Sequence, residues 1–359
     1  MPILFLRASF WRVADRCLGC WSLAALLCLL CLTACTQSPS ANQPHQPSLP
    51  TLASASQLAA YHVFVTDLGT GHLAELDKGT VSGGKSLHGL ALSPDGKLIY
   101  ASDIANSRID LFSITSAPPR LVRSIGVGLF PVHITFSQGG RFAYVTNFQG
   151  SSVSVIDTAQ GRVVKTIITP AGPHGLTASS DGRFIYVACL NGQALAIIDS
   201  QTNALAQALM LPANTHPYSA VLGKEGRYLY ITDNFFGRVL VVDTTLLQDP
   251  AHAVVGGSPA GQQPVLIARS PDGTRLYVTN SGGNLSVLDL ASDPTHPRLI
   301  ATVPVGRSPH GVAVSPDGRY VVVANILSAT LSVVDAASNT VVATIKGEKY
   351  PNDVLLTPA

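Results

Sequence analysis

The residues of this chain best suited to chemistry are histidines and a tyrosine that recur at one place in a repeated phrase. The phrase opens with Pro-His-Gly in its clearest copies, at Pro173–Gly175 and Pro309–Gly311. Imidazole and phenol groups can transfer a proton, bind a metal or hydrogen-bond a ligand. The candidate ligand-binding residues, called here the channel-mouth set, are His88, His133, His174, Tyr218, His310 and Asn352.

Two interpretations of the repeated histidines remain open. A zinc ion needs three or four ligands at about 2.0–2.3 Å, and His88, His174 and His310 stand in separate copies of the phrase, so they are expected to surround a channel without adjoining one another. In the structural alternative each imidazole caps the start of its strand and packs against the glycine of the next copy. We predict no metal ligands and no catalytic residues, and the cofactor is left unassigned.

Three further sets of reactive side chains are predicted to be structural. The first is an aspartate that ends the third strand of most copies and suits the turn that follows it. The second is a basic residue after each turn glycine, which is typical of a solvent-exposed face. Cys189 has no recognisable His or Asn partner, so a packed thiol is expected. The aspartates are Asp77, Asp157, Asp199, Asp243, Asp289 and Asp335, and the basic residues are Lys97, Arg141, Arg183, Arg227 and Arg319.

The repeated phrase itself predicts the fold. Pro309–Ile345 contains four runs of alternating apolar residues, separated by Pro, Gly, Asn and Asp. The aromatic position of its second strand recurs at Phe64, Tyr100, Tyr144, Tyr186, Tyr230, Tyr277 and Val322, at spacings of 36, 44, 42, 44, 47 and 45 residues. Such spacing is typical of propeller blades of four strands. The sequence therefore predicts an all-β, seven-bladed β-propeller of antiparallel blades.

The ends of the repeat predict how the ring closes. The first copy, at residues 61–77, lacks an opening strand, whereas the last, Pro351–Thr357, is an opening strand with no copy after it. Together they make one complete first blade, with Pro351–Thr357 beside Val63–Asp67. Closure in this way removes two exposed sheet edges. The innermost strands line the channel, so the channel-mouth set is expected at one end of it.

The residues before the repeat predict a lipid anchor. Arg7, Arg12 and Arg16 precede an apolar run that ends in Leu32-Thr33-Ala34-Cys35, which resembles a bacterial lipoprotein signal with Cys35 lipidated. The predicted domains are a signal peptide (1–34), the lipidated cysteine with a disordered tether (35–58) and the propeller (59–359). The expected location is the cell envelope, on the outer membrane where the source has two membranes.

Charge argues against nucleic acid as a partner. Without Arg7, Arg12, Arg16 and Asp15, the 23 basic and 21 acidic residues fall to 20 of each. Broad nucleic-acid binding needs a basic surface, which this balance does not provide. The expected partners are a small molecule or an envelope protein, with the membrane reached through Cys35 and the chain itself a monomer.

The strings Tyr144–Asn147, Tyr277–Asn280, Ser154–Thr158 and His310–Gly318 resemble the YVTN family of β-propeller repeats. The resemblance implies a propeller of the envelope or surface-layer kind, with related propellers that bind d-type haem or hydrolyse lactones. In the lactonase-like relatives an acidic residue follows the strand as an Asn-Glu pair, whereas Phe148, Ser281 and Ile326 follow it here. We therefore expect a non-catalytic envelope lipoprotein that acts as a binding platform, with enzymatic activity left open. The alternatives are a protein that binds or handles a d-type haem or a metal, and a lactonase-like hydrolase.

Overall fold

The computed structural model describes residues 55–359. The expected signal peptide, Cys35 and most of the tether lie outside the described residues. In chain order the strands are β1 (Tyr61–Asp67), β2 (His72–Glu75), β3 (Gly79–Ser82), β4 (Leu87–Leu92), β5 (Leu98–Asp103), β6 (Arg108–Ser113), β7 (Arg120–Gly126), β8 (Pro131–Phe136), β9 (Phe142–Asn147), β10 (Ser152–Asp157), β11 (Arg162–Ile168), β12 (Pro173–Ala178), β13 (Phe184–Cys189) and β14 (Ala194–Asp199). They continue as β15 (Ala204–Met210), β16 (Pro217–Leu222), β17 (Tyr228–Asp233), β18 (Arg238–Asp243), β19 (Val254–Pro259), β20 (Pro264–Arg269), β21 (Arg275–Asn280), β22 (Asn284–Asp289), β23 (Arg298–Pro304), β24 (Pro309–Val314), β25 (Tyr320–Asn325), β26 (Thr330–Asp335), β27 (Thr340–Lys346) and β28 (Pro351–Pro358). Short 3₁₀ turns occur at Ala55–Leu58, Gln138–Gly140, Thr244–Leu246 and Ile326–Ser328.

These strands form seven antiparallel sheets of four strands each, which confirms the predicted seven-bladed β-propeller. Blades 2 to 7 each use four consecutive strands, from β4–β7 to β24–β27. Blade 1 has the order β28-β1-β2-β3, so the last strand of the propeller supplies the innermost strand of the first blade. Tyr61 pairs with Pro358 and Asp67 with Pro351, and the predicted closure is thus confirmed. Among the described residues no helix is long and apolar enough to cross a membrane.

Apolar side chains between neighbouring blades hold the ring together. Seven buried clusters each join two adjacent blades. The aromatic column predicted from the spacing lies in them, and Tyr144 and Tyr230 are essentially inaccessible to solvent. Full burial of such a side chain contributes about 1.5–3 kcal/mol, so the packing between blades is the main source of stability.

Every innermost strand carries a bulge directly after its first residue. In β12, Pro173 pairs with Cys189 and Leu176 with Val187, so two residues, His174 and Gly175, face the single residue Ala188. The same one-residue shift occurs in all seven blades. A bulge re-aims side chains that regular alternation would send to opposite faces. The second and third residues of each innermost strand are therefore the ones whose direction the bulge changes.

In five of the seven blades, a hydroxyl opposite the bulge links the blade to the next one. In blade 5, Thr232 accepts the N–H of Ser219 at 2.9 Å and donates to the carbonyl of Val265 in blade 6 at 2.9 Å. Thr66, Ser102, Thr146 and Thr279 bridge their own neighbours in the same way. Ala188 and Ala324 take the position in blades 4 and 7. This explains the threonine of the Tyr-Val-Thr-Asn strings, which the sequence alone did not.

The other end of the ring carries the repeated turns, and the structural interpretation of their side chains is confirmed. Asp157 and Asp335 each accept a backbone N–H of the following turn, at 2.9 and 2.8 Å. The turn glycines adopt positive φ, as Gly96 (71°) and Gly318 (74°) illustrate. The basic residues are not simply solvated: Arg183 and Arg319 lie 5.1 Å above the aromatic ring of the next residue.

Candidate functional site

The bulged innermost strands bring the histidines of the channel-mouth set into contact. His88 comes from β4, His133 from β8, His174 from β12 and His310 from β24. The ring centroid of His88 lies 5.2 Å from the ring centroids of His133 and of His310, and 5.9 Å from that of His174. The His133 and His174 centroids are 5.1 Å apart. The expectation that these residues surround the channel without adjoining one another is wrong, because the bulges turn the side chains of separate blades inward onto one another.

The backbone contacts of the imidazoles differ from those of the structural alternative, in which each ring packs against the glycine of the next copy. Each of three imidazoles contacts the backbone of the next innermost strand: His88 that of Val132, His174 that of Tyr218, and His310 the carbonyl of Asn352 at 3.3 Å. The glycine after each histidine makes this approach possible. A Cβ on Gly311 would lie 2.7 Å from the carbonyl oxygen of Asn352, so only glycine fits without movement of the backbone.

The His310 ring has a defined tautomer because both of its nitrogens are engaged. The Asn352 carbonyl can only accept, so Nδ1 of His310 carries the proton. Nε2 then accepts from the Tyr218 hydroxyl at 3.2 Å. Tyr218 in turn packs against His174, with ring centroids 3.9 Å apart. Tyr218 and His310 therefore form a hydrogen-bonded wall of the cluster.

The other three histidines of the cluster, His88, His133 and His174, each have one buried ring nitrogen with no hydrogen-bond partner among the described residues. These atoms are Nδ1 of His88, Nε2 of His133 and Nδ1 of His174. Both side-chain atoms of Asn352 are unpartnered in the same sense. Buried polar atoms without partners are rare in folded proteins, and a cluster of them marks a place where a ligand, water or ion supplies the missing bonds.

Burial keeps the cluster uncharged. The pKa of His88 and of His174 is held well below its ordinary value, first by desolvation and then by the neighbouring histidines. Burial likewise lowers the pKa of His133 to about 3 and that of His310 to about 4. The side chain of His133 is half-buried, and its exposed part faces the central cavity. The rings are thus neutral at physiological pH, and their unpartnered nitrogens offer lone pairs.

Sequence reasoning missed one acidic residue of the channel. Asp353 follows Asn352 on β28, is 8% exposed, and lines a cavity of about 150 Å³ together with His133 and Ser219. Its carboxylate accepts from the N–H of Val354 at 2.9 Å and of Leu90 at 3.3 Å. Burial nevertheless raises its pKa to about 7. The sequence did contain a signal for Asp353, because it is the only carboxylate at the third position of an innermost strand among the seven blades.

Several other residues lie outside the histidine cluster, either at the channel mouth or in the packed core. Phe235 and Phe236 are exposed at the mouth, whereas Phe148 is half-buried with its ring 5.9 Å from that of His174. The thiol of Cys189 is buried and its pKa is raised to about 12, which confirms a packed cysteine. In the described part of the chain, no three His, Cys, Asp or Glu side chains already stand in position to hold a metal ion.

A larger open cleft lies far from these residues in the fold. It has a volume of about 300 Å³ and lies at the turn end, between blades 6 and 7. Its walls are the repeat's own turn residues, including Asp272, Asp317 and Arg319. Because equivalent residues recur in other blades, where they stabilise the turns, the cleft does not compete with the cluster as a functional site.

Comparison with known proteins gives a family match and several similar structures. Residues 62–351 match the family described as "Lactonase, 7-bladed beta-propeller". A putative 6-phosphogluconolactonase from Bacteroides fragilis is 16% identical with a TM-score of 0.72, over 87% of this chain and all of that one. The periplasmic gluconolactonase PpgL of Pseudomonas aeruginosa is 19% identical with a TM-score of 0.68, over 83% and 99%. Hydrazine synthase of Kuenenia stuttgartiensis is 17% identical with a TM-score of 0.66, over 76% and 95%. No curated protein matches the chain.

Proposed function

Because the chain belongs to the family of seven-bladed β-propeller lactonases, we propose that it is a lactonase-like hydrolase whose site is the histidine cluster and Asp353. The expectation of a non-catalytic binding platform is corrected by that family match, which spans residues 62–351. That expectation was based on the absence of the Asn-Glu pair, but other residues can perform the same chemistry without this motif. The observation that carries the proposal is three neutral imidazoles in one channel, each with a buried ring nitrogen that has no hydrogen-bond partner among the described residues.

Lactone hydrolysis needs a base for the attacking water and an acid for the leaving oxygen. A neutral imidazole such as His174 accepts the proton of water as it attacks the ring carbonyl carbon. The tetrahedral intermediate then collapses, the ring C–O bond breaks, and the departing alkoxide takes a proton. Asp353, a buried carboxyl with a pKa of about 7, can hold that proton near neutral pH. The product is one hydroxy acid per lactone and water consumed.

The Tyr218–His310 pair has a positioning role in this scheme. Its hydrogen bond fixes the phenol next to His174, at a ring-centroid distance of 3.9 Å. The ring orientation of His174 is therefore set from two sides, by the Tyr218 ring and by the backbone contact to the same residue. Pre-set orientation of a base reduces the entropy cost of reaching the transition state.

The test is acid release from a panel of γ- and δ-lactones, including aldonolactones with and without a phosphate group. We expect turnover by the wild-type protein and a loss of at least tenfold in kcat/KM on His174→Ala, with an unchanged melting temperature. Arg183 lies at the opposite end of the ring, so the control variant Arg183→Ala should leave kcat/KM unaltered. Wild-type protein that opens none of the lactones would refute the proposal.

We also propose that the protein is a lipoprotein of the cell envelope carrying YVTN-type repeats. Support comes from the Leu32-Thr33-Ala34-Cys35 string behind three arginines and from the Tyr-Val-Thr-Asn strings at Tyr144 and Tyr277. The envelope location would place the lactone substrate outside the cytoplasm.

A further inference from the structure

The cavity beside Asp353 is lined mostly by apolar side chains. It has a volume of about 150 Å³ and is bounded by the innermost strands of blade 1 and of blades 3 to 7. Among the described residues that line it, three have polar side chains: His133, Ser219 and Asp353. An apolar wall with a few polar groups is typical of a site that orients one reactive end of a ligand and holds the remainder by contact. The apolar lining residues are Ile134, Leu176, Ala220, Leu266, Ile267 and Val312.

These polar groups are too few for a substrate rich in hydroxyl groups. The carboxylate of Asp353 already accepts from the N–H groups of Val354 and Leu90 at 2.9 and 3.3 Å. A six-carbon sugar lactone carries four hydroxyls besides its ester group, and a hydroxyl buried without a hydrogen-bond partner is unfavourable. A hydrocarbon substituent on the lactone ring has no such requirement and gains from contact with the apolar wall.

The channel also offers no cation to an anionic substrate. Among the seven innermost strands, all of which the structure describes, none carries a lysine and one carries an arginine, Arg269. That guanidinium is engaged at the turn end of the strand, where it donates to the carbonyls of Leu222 and Ser270 at 3.0 and 3.2 Å. A phosphate ester carries a charge of about −1.5 to −2 near pH 7, and burial of such a charge without a partner is highly unfavourable.

Three arginines near the channel mouth are engaged in other contacts. The guanidinium of Arg108 lies 2.9 Å from the carboxylate of Asp110, and that of Arg238 lies 2.9 Å from that of Asp233. Arg307 donates to a backbone carbonyl of blade 7 at 3.2 Å. Arg108 and Arg238 open the third strands of their blades, two strands away from the channel lining. A phosphate at the cavity would therefore compete with existing ion pairs for these charges.

We propose that the channel takes uncharged aliphatic lactones, with the ester group at the histidine cluster and Asp353 and the hydrocarbon part against Leu176, Leu266 and Val312. This substrate class rests on the proposed function, because it specifies what the same site hydrolyses. The product is a hydroxy acid, whose carboxylate is charged where the substrate was not. Because the cavity holds no cation for that carboxylate, the product should inhibit the enzyme only weakly.

The kinetic test compares three δ-lactones of equal ring size: δ-octalactone, glucono-δ-lactone and its 6-phosphate. Each kcat/KM is divided by the rate constant of hydroxide-catalysed hydrolysis, which removes the difference in intrinsic reactivity. We expect δ-octalactone to exceed gluconolactone by at least about tenfold and the 6-phosphate by at least about 100-fold. Each methylene added to the chain should raise kcat/KM by up to about fourfold until the cavity is full.

The variants test whether the apolar wall sets this preference. Leu176→Gln and Val312→Thr should each lower the ratio of kcat/KM for δ-octalactone to that for gluconolactone by at least about fivefold. The ratio is measured on one protein sample, so any unfolded fraction cancels. The same changes at exposed residues of outer strands are the controls: Leu299→Gln on β23 and Val122→Thr on β7 should leave the ratio unaltered.

A binding measurement separates the substrate class from the proposed function. The probe is 3-propylcyclohexanone, in which a methylene replaces the ring oxygen of δ-octalactone, so it cannot be hydrolysed. In a calorimeter it should bind at least about tenfold more tightly than cyclohexanone, and Leu176→Gln should remove most of that difference.

The outcomes are distinguishable. Binding of 3-propylcyclohexanone without turnover of any lactone would support the ligand class and refute the proposed function. Turnover that favours gluconolactone or its 6-phosphate, or a ratio unchanged in Leu176→Gln and Val312→Thr, would support the proposed function and overturn the substrate class. A preference for the 6-phosphate would assign the phosphate to exposed cations of the mouth such as Lys349. Neither turnover nor binding would overturn both.

Discussion

Replacing Asp353 with asparagine should stabilise the protein at neutral pH and much less at acidic pH. The carboxyl has a pKa of about 7 in the folded protein, whereas an unfolded aspartate has a pKa of about 3.9. Between these values the native state holds a proton that the unfolded state has released, so stability falls as the pH rises. Each pKa unit corresponds to about 1.36 kcal/mol, which gives a cost of about 1.5 kcal/mol at pH 5 and about 4 kcal/mol at pH 8.

The assay is urea unfolding of wild-type protein and Asp353→Asn at pH 5 and pH 8, in a chelating buffer. The difference between the two proteins must be used, because the buried histidines have lowered pKa values and give the opposite slope: they lose stability as the pH falls below about 6.5. We expect the advantage of the variant to grow by about 2.5 kcal/mol from pH 5 to pH 8. An equal difference at both pH values would refute the reasoning, since it would show that Asp353 does not titrate in this interval.

Further predictions concern closure, the bridging threonines and the anchor. A chain ending at Tyr350 should aggregate or melt far below wild type, because the loss of β28 exposes several side chains worth about 1.5–3 kcal/mol each; an unchanged melting temperature would contradict this closure. Thr232→Val should lower the free energy of unfolding by about 1–3 kcal/mol, since a buried N–H and a carbonyl lose their partner, while Thr302→Val on an exposed outer strand should change it by less than about 0.5 kcal/mol. Cys35→Ala should abolish lipid attachment, so fractionation should recover unprocessed or soluble protein; a fully processed variant retained in the membrane would argue against the anchor.

The fold was predictable from sequence because each blade repeats its apolar and turn residues at nearly constant spacing. The aromatic column at Tyr144 and Tyr230 and the closing strand Pro351–Thr357 are direct consequences of that repeat. The assembly of the site was not predictable. Regular alternation gives no sign of a bulge, and it is the bulge that turns His133 and His174 onto one another.

The acidic residue and the function were missed for related reasons. Asn352 occupies the histidine position of its strand, and Asp353 follows it where three other innermost strands have glycine, so the pattern gives the position a structural role. Asp353 acquires its raised pKa only from burial, which depends on the ring being closed. The function was inferred from a motif expected after the second strand, whereas the acidic group of this chain lies on the innermost strand of blade 1.

The order in which the strands are synthesised makes closure of the ring the last step of its assembly. During translation β1, β2 and β3 emerge first, but their blade is incomplete until β28, the last of the propeller's strands, leaves the ribosome. Until then the nascent chain has an open sheet edge at each end of an unclosed arc, where pairing with other chains is a hazard. Asn352 and Asp353 arrive on that same strand. A prematurely terminated chain therefore lacks Asn352 and Asp353 as well as ring closure, and it keeps open sheet edges.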